Sequence, residues 1–488
     1  MIKRIICLLV CVAFFYNIFA QSLTLRHHMQ EMKQNFEDYK SVQQHKFETY
    51  HQQINAEYAE YMRQVWPKYE VQEAIPLPVK PKPPIFIKDS SVEPTNEPIS
   101  FDYIQSAPAL GTSVKPIIPY NREIAPNSQQ FHFSFYGTAC AVSLNASHSY
   151  KLNGINENSI ADVWLQLSAE KYNSIISDCL AWREKLHLPD WGYVRFLEKM
   201  TTTFFSAHSK NEATLMQMYI LAQSGYKVRI ARSDNELVLL LPSEDNIYQY
   251  PYLSIEGRKY YIMDKETQHR TYSVFDREFP NEQYFSLQMF NKPSLSVQKT
   301  ALRTLTSQQF PVASATIATN GNLIDFYNDY PLTDLWVMYV KTSLNEDTKK
   351  QLYPSLKHAI DGKKPHQAAN ILLNFVQTAF TYKTDNSQFG YEKPFFADET
   401  LYYPYCDCED RSILYAILVR ELLHLDVVLL CYPNHMATAV CFGQDVSGNY
   451  LQIDDKRYIV CDPTYINAEV GSIMPRFKDI PAKIMKID

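Results

Sequence analysis

The sequence predicts an α+β protein: a long N-terminal helix, then two halves that echo each other, each with helices packed on an antiparallel sheet. Three observations lead there. Apolar and aromatic residues recur with a helical period between residues 22 and about 66. Helical patterns give way to short, alternating strand-like runs in each half. Ordered sequence matches then recur between the halves at nearly constant separation.

At 488 residues the chain can hold two or three domains, each with its own core. Apolar residues make up 46% and charged residues 20%, an ordinary globular balance. Gly is scarce, at 12, against 35 Tyr and 26 Phe. No GxGxxG or GxxxxGK[ST] run occurs, which argues against nucleotide chemistry. A net charge of −6 and the lack of a basic stripe argue against nucleic acid as a partner.

Residues 1–20 read as a secretory signal: Lys3 and Arg4, an apolar stretch from Ile5 to Phe15, and a small-residue cleavage site at Ala20. A retained anchor is the alternative, disfavoured by the short apolar core. No other apolar run approaches the ~18 residues a span needs. The expected location is periplasmic or secreted, with no stable membrane span after signal removal. Seven cysteines then remain, Cys140, Cys179, Cys406, Cys408, Cys431, Cys441 and Cys461. An odd number leaves at least one thiol free in a compartment that permits disulfides. No CxxC pair is present, so a zinc framework is not expected, and no calcium-binding acidic cluster is evident. No cofactor is expected.

Residues 21–70 are expected to form one amphipathic helix. Met29, Met32, Phe36, Tyr39, Phe47, Tyr50, Ile54, Tyr58, Tyr61 and Val65, with Gln43, give a period of 3.6. Such a helix lies along the body of the protein or engages a partner. Trp66-Pro67 ends it. Residues 71–100 carry Pro76, Pro78, Pro81, Pro83, Pro84, Pro94 and Pro98 and read as a stiff linker, neither strand nor helix.

The halves are expected at 101–300 and 301–488. Asp162-Val163-Trp164 recurs as Asp334-Leu335-Trp336, each opening a helical pattern. A second helix lies near Val194–Phe205 and near Ile371–Phe380; a third begins near Asn211 and near Cys408. The run from Leu253 to Asp264 matches that from Leu451 to Asp462. Asn211 to Asp264 is 53 residues and Cys408 to Asp462 is 54. The second half carries about 25 extra residues before its third helix, rich in Tyr and Phe from Phe389 to Tyr405, expected as a site-shaping loop.

Chemistry concentrates at Cys408, His435 and Asp462. Cys408 falls in the first turn of a helix, where backbone N–H groups and the helix dipole favour a thiolate. The adjacent Glu409 and Asp410 oppose that charge. His435 heads a strand and Asp462 ends another, so one sheet can present a base beside the sulfur and a carboxylate behind the base. His424 is excluded as base: sixteen residues along the helix place it roughly 24 Å away. Cys406 precedes the helix and ranks below Cys408. Cys461 points away from Asp462 by strand alternation. Taken singly, each residue has a bland reading as a buried thiol, a strand-end imidazole or a turn carboxylate.

Asp407-Cys408-Glu409-Asp410 with its Leu-rich helix, His435 heading a strand, and Val460-Cys461-Asp462-Pro463-Thr464 together resemble the transglutaminase-like superfamily of papain-like thiol enzymes. The likeness is to bacterial transglutaminase-like cysteine peptidases and covers roughly residues 370–475. It implies a papain-like core with the nucleophile helix on an antiparallel sheet, and Cys408 as nucleophile, His435 as general base and acid, and Asp462 as orienter. The implied activity is a cysteine hydrolase, peptidase or amidase, acting on a protein or peptide substrate; acyl transfer to an amine is the variant. The implied oxyanion side chain has Tyr403, Tyr405 and Gln388 as candidates. The first half reads as a degenerate copy: Asn211 stands for Cys408, Leu237 or Val238 for His435, and Asp264 for Asp462. A non-catalytic secreted scaffold of the same shape is the alternative.

Overall fold

The computed structural model describes residues 2–77, 86–88, 95–106, 116, 130–233, 235–289, 292–443 and 445–487, with the backbone course alone for 2–27. It is a mixed α+β fold. Among the described residues the buried apolar side chains form three clusters: the largest spans Tyr58 to Ile487 and touches both sheets, a second gathers Val428, Leu430, Ala437 and Ala439 of the second sheet, and a third gathers Ala231, Val238, Leu240 and Ile262 of the barrel.

The N-terminal helix runs from Ile2 to Met62, through the expected signal segment and ending short of residue 70. Pro67 lacks an N–H and disfavours helical geometry in the residue before it, so the chain turns and enters the strand Lys68–Gln72. His51, Asn55, Tyr58, Ala59 and Met62 are buried. The Tyr58 ring sits 4.9 Å from Trp164, 4.8 Å from Phe275 and 4.9 Å from Phe279. A helix lying on the body therefore describes only its last turns. Met29, Met32, Phe36 and Tyr39 are each 60% exposed or more, and this stretch stands clear of the protein.

The first sheet is a closed barrel of six antiparallel strands. Its order is Lys68–Gln72, Thr271–Phe275, Arg229–Arg232, Leu237–Pro242, Arg258–Ile262 and Tyr252–Ile255, which closes on the first. The helices Asp190–Phe205 and Lys210–Gln223 pack together beside it. The second sheet orders Tyr450–Ile453, Lys456–Cys461, His435–Cys441, Asp426–Tyr432, Ala482–Lys486 and Phe101–Gln105. It is antiparallel except for its last pair. Against it lies the helix Cys408–Leu423, itself packed on Pro365–Thr378. Cys408–Leu423 is buried on all sides through Val419, which its run of Ile413, Leu414, Tyr415, Ala416, Ile417, Leu418 and Val419 permits.

Three expectations are corrected. The segment 71–100 is not merely a linker. Val71 and Gln72 belong to a barrel strand, Phe86–Ile87 pairs in parallel with Tyr465–Ile466, and Pro98 bridges to Tyr450. Phe101–Gln105 lies at the edge of the second sheet, so the first half does not begin at residue 101. Extended, Pro-rich chain cannot donate a full ladder but can complete sheet edges. Finally, the aromatic insertion is no open loop. It contains the helix Ala397–Tyr402 and buries Phe395, Phe396 and Leu401.

Candidate active site

Cys408 opens its helix, with Asp407 as N-cap. Asp410 accepts from the Asp407 N–H at 3.1 Å and, through its other oxygen, from the Phe395 N–H at 3.0 Å. The carboxylate at the third helical position thus satisfies the chain entering the helix and ties the insertion to its start. Cys408 is 2% exposed, and its thiol donates to the Glu409 carboxylate at 3.0 Å.

His435 faces Tyr432 across a two-residue hairpin turn, in which Asn434 takes a φ of 62°. Its Nε2 lies 2.9 Å from Asp462 Oδ2. Asp462 Oδ1 accepts from the Thr464 N–H at 2.9 Å and the Tyr465 N–H at 3.2 Å. Two backbone donors hold this carboxylate as an acceptor, so Nε2 carries the ring proton and Nδ1 carries the lone pair. Nδ1 is buried and takes no hydrogen bond among the described residues. The imidazole lies flat on Phe477, centroids 4.8 Å apart and planes 6° apart. Arg476 covers the Phe477 ring at 4.3 Å, and Asp462, Tyr382 and Cys408 all lie within reach of its charge.

Buried hydrogen bonds join the elements that carry the three residues. The Ser412 hydroxyl, one turn below Cys408, donates to the Met436 carbonyl at 3.0 Å, pinning the helix to the strand that carries His435. Arg411 donates to the carbonyls of Gln377 at 3.1 Å and Phe380 at 2.8 Å. Gln377 Nε2 in turn reaches the carbonyls of Asp462 at 3.0 Å, Tyr465 at 2.8 Å and Ala468 at 3.0 Å. Sequence reasoning missed Gln377: a buried amide in the last turn of an apolar helix is its only signal. Gln377→Leu preserves the volume and removes a donor from three buried carbonyls, of which those of Asp462 and Tyr465 keep the backbone N–H groups of Tyr465 and Ala468, so a loss of about 1–3 kcal/mol in unfolding free energy is expected. Chemical denaturation checks this; an unchanged midpoint and slope would show that the loop at Asp462 does not depend on the amide.

Four carboxylates, from Asp385, Glu392, Asp407 and Glu409, bring oxygens within 4.8 Å of one another beside the sulfur, all buried. Spacing concealed this cluster, because Asp385 and Glu392 lie far upstream of the helix. Burial, then the charges of Asp410 and Glu409, pushes the Asp385 carboxyl up to about 10. Burial, then Glu409 and Asp410, raises Asp407 well above the usual carboxylate range. Asp407 Oδ1 is buried without a hydrogen bond. Hard oxygen donors at this spacing fit calcium: ligands on opposite sides of that ion stand about 4.6–5.2 Å apart. The four residues can therefore hold either shared protons or a divalent cation.

Of the three oxyanion candidates, Tyr403 has its hydroxyl engaged. The Tyr403 hydroxyl donates to Asn328 at 2.9 Å and its ring stacks on Phe395. Tyr405 lies under the Lys383 ammonium, and Gln388 ends the short helix Asp385–Gln388. All seven cysteines beyond residue 20 are free thiols. Burial pushes Cys406 up to about 11 and Cys461 up to about 12, as expected of inert core thiols. His424 follows the helix C-terminus with a φ of 56°, at the far end from Cys408.

Comparison of the chain with family models, with curated proteins and with solved structures finds no match.

Proposed function

We propose that the protein is an extracytoplasmic cysteine hydrolase of transglutaminase-like type, attacking an amide carbonyl of a protein or peptide. The observation that carries this reading is the His435–Asp462 pair, 2.9 Å apart, with an unengaged Nδ1 on the strand that Ser412 pins to the helix of Cys408. In use, the thiol turns from Glu409 and passes its proton to Nδ1. The sulfur attacks the carbonyl carbon, the leaving amine takes the proton back from the imidazolium, and water, activated by the same ring, resolves the thioester. Asp462 keeps Nε2 protonated and stabilises the imidazolium. A calcium ion held by Asp385, Glu392, Asp407 and Glu409 would supply charge alone, offsetting the repulsion that the flanking carboxylates exert on a thiolate. Among the described residues no helix is long and apolar enough to cross a membrane.

The first half reads as a degenerate copy. The barrel strands Arg229–Arg232, Leu237–Pro242, Arg258–Ile262 and Tyr252–Ile255 neighbour one another in the order of Asp426–Tyr432, His435–Cys441, Lys456–Cys461 and Tyr450–Ile453. Leu240 pairs with Ile262 as Ala439 pairs with Val460. That register assigns the His435 position to Glu236, one residue before the expected Leu237 or Val238. Lys210, opening the equivalent helix, reaches Glu236 at 3.0 Å and Asp264 at 2.9 Å, so an ion-paired trio replaces thiol, imidazole and carboxylate. Asn211, the expected counterpart of Cys408, instead bonds the hairpin through the Leu237 N–H and the Asn235 carbonyl.

One observation favours a non-catalytic scaffold: the sulfur is buried and bonded to Glu409 rather than to His435. p-Nitrophenyl acetate separates the readings. Mass mapping is expected to find an acetyl group on the peptide bearing Cys408 in the wild type and none there in Cys408→Ala. A wild type acetylated only elsewhere would remove the nucleophile and leave the scaffold.

A further inference from the structure

We infer that Tyr382 donates the side-chain hydrogen bond to the oxyanion formed when Cys408 attacks a carbonyl. This inference rests on the reading of Cys408 as the nucleophile. Its starting point is an anomaly. The Tyr382 hydroxyl is buried and has no hydrogen-bond partner among the described residues. A buried hydroxyl left unsatisfied costs about 1–3 kcal/mol, and such groups concentrate where a ligand completes them.

The surroundings say which ligand. Tyr382 lies in the two-residue strand Thr381–Tyr382, paired in parallel with Tyr405–Cys406, so that it stands directly beside Cys406, two residues before Cys408. The Lys383 N–H continues the ladder to the Cys406 carbonyl at 3.3 Å. Arg411, on the first turn of the Cys408 helix, fixes the approach to this strand through the Phe380 carbonyl and lies 5.4 Å from the centre of the Tyr382 ring. The backbone of Tyr382 is thus paired with the chain that leads into Cys408, and its ring lies beside Arg411 of the Cys408 helix. Burial is the chief reason its hydroxyl stays protonated. A neutral phenol keeps a proton to donate, and it does so best toward negative charge that appears during the reaction and departs afterwards.

The step balances simply. The thiolate forms a bond to the carbonyl carbon and the π pair moves onto oxygen. The Tyr382 O–H and the first-turn N–H groups of the helix hydrogen-bond that oxygen. Collapse restores the carbonyl and expels the leaving group, which for an amine takes its proton from His435. No proton leaves Tyr382.

Tyr382→Phe tests this, because it keeps the ring and deletes only the donor. Two reagents are compared on wild type and variant: p-nitrophenyl acetate, whose reaction builds an oxyanion, and iodoacetamide, which alkylates Cys408 by displacement at a saturated carbon and builds none. The acylation rate is expected to fall about 10²-fold while the alkylation rate is unchanged. The variant should melt no lower than wild type, since it loses an unsatisfied buried hydroxyl. Equal acylation rates would overturn the inference. Acylation and alkylation falling together would also overturn it, assigning Tyr382 to placing the sulfur. A wild type that alkylates at Cys408 but never acylates there removes the parent reading, and this one with it.

Discussion

His435→Ala is expected to slow acylation of Cys408 by p-nitrophenyl acetate by about 10²–10⁴-fold at neutral pH, the range a lost general base covers. The argument is local. Nδ1 is a buried acceptor with no hydrogen bond among the described residues, on the strand that Ser412 ties to the Cys408 helix, and Asp462 assigns its lone pair. The acids around the sulfur oppose a thiolate, so without the imidazole nothing on the His435 side takes the proton. Asp462→Asn should cost less than His435→Ala, because an amide still occupies the site while the tautomer and the imidazolium lose their support. Progress curves of p-nitrophenol release read both. Wild-type rates in His435→Ala would show that Glu409, the present partner of the thiol, is the base instead.

Removing a divalent cation should lower stability in a pH-dependent way. Asp385 and Asp407 have carboxyls raised above their unfolded values. The sign follows from linkage. Without a cation the folded state keeps protons that the unfolded chain releases from about pH 4, so this stabilisation is fully present below that pH. It is lost as pH rises toward the raised folded value, at ~1.4 kcal/mol per pH unit for each carboxyl held protonated. A cation replaces those protons and binds more tightly as pH rises. In the presence of a chelator the melting temperature should therefore fall between pH 5 and pH 8, and millimolar calcium should restore it at pH 8 by about 3 kcal/mol of linkage if the site is near-saturated. Melting curves that ignore both chelator and calcium at pH 8 would assign the four carboxylates to shared protons alone.

The legible parts of this molecule were those that periodicity and order encode. The helix from Cys408 announced itself through its apolar run, and His435 and Asp462 through their places at strand ends; the alternation that sends Cys461 into the core leaves Asp462 free to turn toward the ring. What stayed hidden depends on contacts distant in sequence. Asp385 and Glu392 meet Asp407 and Glu409 only after the insertion folds, so the buried acid cluster had no motif. Gln377 acts from one helix on a loop about 85–91 residues away, and an isolated amide in an apolar pattern has no distinguishing spacing. The Pro-rich segment was misread because its composition marks stiffness and says nothing of which sheet edge an extended chain meets. If the first half is read as a degenerate copy, the counterpart of His435 falls at Glu236 rather than Leu237 or Val238, because hairpin register and not sequence similarity fixes which side chain faces the helix.

The most direct test is the rate at which iodoacetamide alkylates Cys408, measured against pH in wild type and in His435→Ala. If the sulfur and imidazole form a working pair, the wild-type rate reaches a plateau with its inflection below the ~8.5 of an unperturbed thiol, and that inflection moves up when His435 is removed. If the two proteins trace the same curve, inflecting at or above that ordinary value, the sulfur gains nothing from the ring and the protein is no thiol enzyme.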